Sequence, residues 1–130
     1  MIRVSENRLS QLRYIGLSDK ELDFLQGQRE KFEAITDVVV DRLYDEVYAK
    51  PELARIINEH STIERLKGTQ CWYFMTMVEG KIDEEFIDKR LYIGKLHSRI
   101  GLTTEWYLGT YMLYLDIAVQ CFKEIAPIYG

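Results

Sequence analysis

Apolar residues recur at three- and four-residue spacing along most of this chain, and little interrupts them. Leu22, Leu25, Phe32, Ile35, Val39, Leu43 and Val47 form one such series, the stripe by which an amphipathic helix meets a core. The 130 residues contain only two prolines, Pro51 and Pro127, and few strand-like alternations. Helices are therefore the building material, and the pattern predicts an all-α fold.

Punctuation divides the helices. "SDKE" at Ser18–Glu21 is a capping box, in which the serine accepts from the third amide and the glutamate reaches back. Gly27 is a break in the long series behind it. Pro51 ends that series, because the residue before a proline avoids helical backbone, and it opens a short helix of its own over Pro51–Asn58. "STIE" at Ser61–Glu64 is a second capping box, whose helix is expected to reach Glu79 and stop at Gly80. Asp83 caps the next helix and Gly101 ends it. Thr103 or Thr104 caps the last, "TEWYLGTYMLYLDIAVQCFKEI", which Pro127 closes. Five or six helices result. Val4, Leu9, Leu12 and Ile15 form a short helix or an arm packed on the body, so residues 1–17 divide from a main domain over 18–130.

Composition fits one domain with a real core: 47% of residues are hydrophobic. Seventeen basic against 21 acidic residues give −4, and no basic cluster suits nucleic acid. No apolar run approaches the roughly 20 residues of a membrane span. Arg3, Glu6 and Arg8 interrupt any secretory leader, and two well-separated cysteines, Cys71 and Cys121, suit a reducing cytoplasm. No glycine-rich phosphate loop or serine elbow is present, and the carboxylates are scattered as solvated charges. Nothing here composes an enzyme centre. His60 and His97 with the distant cysteines lack the tight ligand spacing of zinc motifs.

His97 reads two ways: a hydrogen-bonded core histidine, or a ligand. It lies in "YIGKLHSRIGL" with Ile93 and Ile100 one turn away on either side. Gly94 removes a side chain from the same face and would let a flat ligand approach the helix. A wide, flat, apolar cofactor carrying one iron asks for greasy walls and one neutral imidazole. On another helix Tyr44 and Tyr48, four residues apart, share a face. A tyrosine hydroxyl aimed into an apolar pocket needs a partner, and a polar diatomic ligand is one. Thr69 adds a hydroxyl with Leu66 three residues before it. Plain helix packing with a rim hydroxyl is the alternative for all four.

"INEHSTIERLKGT", "DEEFIDKRLYIGKLHSRIGL" and "WYLGTY", in this order and at these separations, resemble the haem-binding sensor globins called globin-coupled sensors. The likeness is greatest to the aerotaxis transducer type and runs from about Tyr14 to Ile125. It implies a globin-like fold with an extra N-terminal helix, supplied by residues 1–17. It implies that His97 is the proximal iron ligand and that Tyr44, or less well Tyr48, hydrogen-bonds the gas. Thr69 and Leu66 fall on the distal helix, and His60 falls near a haem propionate. Tyr107 falls on the proximal side, tied to signalling, with Trp106 packed beside it. The family's globin domain continues into a long final helix that covers the haem and joins a dimeric bundle. This sequence stops at Gly130, so the expected fold lacks that helix.

The resulting expectation is a cytoplasmic, non-enzymatic gas-sensor domain. It would bind b-type haem (heme b) non-covalently, since no C-x-x-C-H motif exists for covalent attachment. Pentacoordinate iron on His97 would take dioxygen, carbon monoxide or nitric oxide, with Ile93 and Gly94 beside it, and a homodimer would pass the signal to an output domain or partner protein. The alternative is a haem-free globin-like regulatory domain that binds other proteins. A haem dioxygenase or peroxidase ranks lower, because no distal acid–base histidine is placed for peroxide chemistry.

Overall fold

A computed structural model describes the backbone of residues 1–129 and side chains through residue 126. Seven helices are present among them: α1 (Glu6–Tyr14), α2 (Asp19–Gln26), α3 (Arg29–Tyr48), α4 (Pro51–His60), α5 (Ile63–Thr76), α6 (Glu84–Arg99) and α7 (Thr104–Tyr129). The all-α expectation holds, with one addition. Ile2–Arg3 (β1) pairs in parallel with Ile82–Asp83 (β2), Ile2 opposite Ile82.

The expected punctuation is mostly present. The Glu21 carboxylate accepts from the Ser18 backbone N–H at 2.8 Å, Pro51 occupies the first turn of α4, and the Asp83 carboxylate accepts from the Phe86 N–H at 2.9 Å. Three boundaries differ. Thr62, not Ser61, caps α5, its hydroxyl accepting from the Arg65 N–H at 3.2 Å. Helix α5 ends at Thr76, and the next residues tighten into bonds three residues apart, Met77 to Phe74 and Val78 to Met75. Helix α7 runs past Pro127 to Tyr129.

Helix α3 is the axis of the core because its inner stripe is unbroken. Phe32, Ile35, Val39, Val40, Leu43 and Val47 are all buried, each contributing about 1.5–3 kcal/mol by leaving water. α5 and α7 pack along it most extensively and α4 covers one part. Phe32 stacks on Phe74 of α5 at 4.9 Å and meets Phe122 of α7 at 5.0 Å, while Phe74 meets Tyr114 edge-on at 6.0 Å. These rings lock three helices together.

Helix α6 stands apart. None of its sixteen residues is buried, and its close backbone packing is with β2, its own lead-in. Its C-terminal end is nonetheless well defined. The Leu102 N–H donates to the His97 carbonyl at 3.2 Å and the Gly101 N–H to the Ser98 carbonyl at 3.3 Å. This is a Schellman closure, and Gly101, at φ 82°, supplies the left-handed residue it needs.

Candidate cofactor site

The half-buried residues of α6 and its C-cap are Phe86, Ile87, Arg90, Ile93, His97 and, at the cap, Ile100. Their spacing of three and four makes them one stripe, turned toward the rest of the molecule. Leu91, Tyr92 and Leu96 are exposed. The stripe is apolar at both ends and carries two cationic or basic groups, Arg90 and His97.

His97 is the better-placed donor. Its Nδ1 is buried and has no hydrogen-bond partner, and burial holds the imidazole below its usual pKa. The ring is therefore neutral at physiological pH, with a nitrogen lone pair free. Its neighbour is Tyr107, the ring centroids lying 5.4 Å apart with planes tilted by 56°. A Cβ added at Gly94 would meet nothing within 4 Å. Ile93 is half-buried on the same stripe. Among the described residues no group of three or more His, Cys, Asp and Glu side chains could hold a metal ion. A lone imidazole suits an iron whose other in-plane ligands arrive with it, as in a porphyrin. The orphaned Nδ1, the neutral ring and the open helix face at Gly94 fit that group.

Tyr44 lies elsewhere in the fold. It is half-buried on α3 against the core. Burial pushes its hydroxyl pKa up to about 12, so the phenol keeps its proton and remains a hydrogen-bond donor at neutral pH. It lines a cavity of about 390 Å³ with Asp45, Tyr48, Ala49, Ile63 and Lys67. Lys67 is tied to Asp41 at 3.1 Å. A second cavity, of about 160 Å³, lies where α5 meets α6, between Trp72 and Arg90. His97 lines neither, so the structure does not bring Tyr44 and His97 into one of these cavities.

The remaining sequence-predicted residues divide. Leu66 is half-buried and packs on the core. The Thr69 side chain is exposed, its hydroxyl donating to the Arg65 carbonyl at 3.1 Å. Tyr48 is turned outward, donating to the Asn58 side-chain oxygen at 3.0 Å, which favours Tyr44 of the two tyrosines. His60 is exposed at the last position of α4. Trp106 is partly buried against the core.

Two features escaped the sequence reading. Tyr114 is only 5% exposed, yet its hydroxyl has no hydrogen-bond partner, and burial raises its pKa. Arg90 lies two turns before His97 on the same stripe and reaches α5. The spacing of seven was the available signal for Arg90; nothing local marks Tyr114.

The protoglobin family model matches residues 5–126. The chain belongs to the protoglobin family. Its sequence is 33% identical over 104 residues to a heme-based aerotactic transducer, HemAT, of Halobacterium salinarum, a match covering 79% of this chain and 21% of that protein. The protoglobin chain thus spans about a fifth of the curated relative it matches. Its fold superimposes on the globin domain of a Geobacter sulfurreducens globin-coupled sensor with a TM-score of 0.79, at 21% identity, over 89% of this chain and 76% of that one. The fold is accordingly all-α and globin-like. None of the described helices is long and apolar enough to cross a membrane.

Proposed function

We propose that this protoglobin chain is a haem-based gas-sensor domain that binds dioxygen and other diatomic gases for signal transduction. The observation that carries the reading is His97: a neutral imidazole on the inward stripe of α6 with a buried, unpartnered nitrogen. The heme-based aerotactic transducer it resembles supports the same cofactor and a sensing role. When bound, b-type haem supplies an iron with an open position for a diatomic gas.

The chain's own residues do the rest. His97 holds the cofactor through one ring nitrogen, and Tyr107 packs against that ring. Ile93 and Gly94 leave the adjoining helix face flat and apolar. Tyr44, kept protonated by burial, would donate a hydrogen bond to the gas, and the resemblance to sensor globins would set Leu66 and Thr69 beside it and His60 near the cofactor's carboxylates. A hydrogen bond to a charged acceptor contributes about 1.5–3 kcal/mol, enough to separate a polar ligand from a less polar one by about ten- to a hundredfold. Carbon monoxide depends on that bond less than dioxygen.

The outer face of α7 supports a homodimer as the route of output. Leu108, Met112, Leu115 and Val119 recur there at helical spacing and are exposed. Residues 1–17 form an arm on the 18–130 globin domain, and an output domain or partner protein reads the dimer in the cytoplasm.

An absorption spectrum tests the reading. Protein purified with haem is expected to show a Soret band that moves on adding dioxygen or carbon monoxide, and His97→Ala is expected to lose or shift it. A chain that binds no haem, or a His97→Ala band unchanged in size and position, refutes it.

A further inference from the structure

The hydrogen bonds that α6 side chains make to other parts of the molecule are confined, among the described residues, to its N-terminal half. The Ser5 N–H donates to Glu84 Oε1 at 2.8 Å, and Arg90 donates to Thr76 Oγ1 on α5 at 2.7 Å. The second contact is built rather than incidental. The Arg90 guanidinium lies 3.5 Å from the centre of the Phe86 ring on its own helix and 4.7 Å from that of Tyr73 on α5. Thr76, only 5% exposed, donates its hydroxyl hydrogen bond to the Tyr73 carbonyl at 2.6 Å. One residue before, Lys89 lies over the Trp72 ring at 5.2 Å. Two adjacent α6 cations thus grip three residues of one turn of α5.

We propose that Arg90 is a positioning residue, the clasp that sets the spacing between α5 and α6 and so aims the His97 imidazole. Its functional meaning rests on the haem-sensor reading above. With no buried side chain on α6, packing alone does not fix this helix, and His97 lies two turns beyond the clasp. The planar guanidinium is specific to the task. It lies over two rings while its N–H reaches a buried hydroxyl, and the compact, strongly hydrated ammonium of lysine is less suited to both. Thr76 is matched to it, since its hydroxyl accepts from Arg90 and donates onward at once.

The test compares wild type with Arg90→Lys, which keeps the charge, and Thr76→Val, which keeps the side-chain shape and removes the acceptor. Hydrogen exchange on the haem-free chain is the first readout. Amides over Leu91–Arg99 are expected to exchange about tenfold faster in both variants, the loss of one charged hydrogen bond, while amides in the middle of α3 are unchanged. The second readout is the iron–histidine stretching band of the ferrous, gas-free protein, expected to shift or broaden in both. Equal acceleration in α3 and α6, no acceleration in α6, or an unmoved band in the folded variants overturns the clasp. If Arg90→Lys does not fold, Thr76→Val decides. A wild-type chain that takes up no haem refutes the sensor reading instead, and the exchange experiment still decides the clasp.

Discussion

The rings of His97 and Tyr107 face each other across the α6–α7 junction, 5.4 Å apart and tilted by 56°. The Schellman turn at Gly101 lies between the two residues in the chain. Tyr107 therefore restrains the imidazole from the side, and its ring matters more than its hydroxyl. Aromatic pairs of this kind contribute about 0.5–1.5 kcal/mol beyond their buried area, or about two- to tenfold in an equilibrium. Tyr107→Leu is expected to speed haem loss to an excess of a haem-free globin acceptor by about that factor. Tyr107→Phe is expected to leave the rate near wild type. If the phenylalanine variant loses haem as fast as the leucine variant, the hydroxyl is the group that matters.

Tyr44 makes the complementary prediction. Its pKa of about 12 keeps the phenol protonated across the physiological range. Tyr44→Phe is expected to raise the dioxygen dissociation rate by about ten- to a hundredfold and the carbon monoxide rate by much less. Stopped-flow measurement of both gases checks the contrast. In wild type the dioxygen rate is expected to stay flat with pH well past neutrality, because the donor does not ionise there. Similar effects on the two gases would mean that Tyr44 fills space and donates nothing.

Acid is expected to act in two separate windows on the haem-free chain. The folded His97 has a pKa below its ordinary 6.5, so the unfolded chain takes up the proton first. Stability is complete above 6.5 and falls as pH drops from there toward the folded value. His97→Gln is expected to flatten that slope in urea midpoints measured between pH 8 and 5. Asp83 has the opposite origin and a lower window. The Phe86 N–H, donating to the Asp83 carboxylate, is the chief cause that holds its pKa below the ordinary 3.8, with Lys81 adding to it. That contribution is present above 3.8 and is lost as pH falls through the folded value. Asp83→Asn keeps a capping acceptor and is expected to change the urea midpoint little at pH 7, whereas Asp83→Ala removes that acceptor and is expected to lower the midpoint.

Local signals proved legible and tertiary ones did not. Ser18, Pro51, Asp83 and Gly101 act at the ends where their chemistry predicts, because capping is decided within four residues. Ser61 and Thr62 are both able to cap, and the one-residue choice falls to Thr62, which puts half-buried Ile63 at the first helical position. At the end of α5 the Thr76 hydroxyl bonds back to Tyr73 and takes Arg90 from another helix, a contact that no local pattern records. The β1–β2 pairing joins two-residue segments far apart in the chain, too short to show any alternation. His97 and Tyr44 stood out by type and spacing. That they line no common cavity of those described, and that Arg90 clasps α5, depends on how helices pack, and no single helix records it.

Gly94 separates a structural glycine from one kept for a ligand. It sits inside α6, where glycine costs about 0.5–1 kcal/mol relative to alanine. Its backbone is not left-handed, and an added Cβ would meet nothing within 4 Å. Nothing in the folded chain alone therefore requires glycine here, and Gly94→Ala is expected to raise the urea midpoint of the haem-free protein. A planar cofactor lying against this turn would meet the new methyl group, so the same substitution is expected to lower haem affinity. Titrating haem into both proteins, beside their urea midpoints without it, separates the two effects. A variant that gains stability and binds haem as tightly as wild type would place the macrocycle away from Gly94 and leave the glycine without a role in the site.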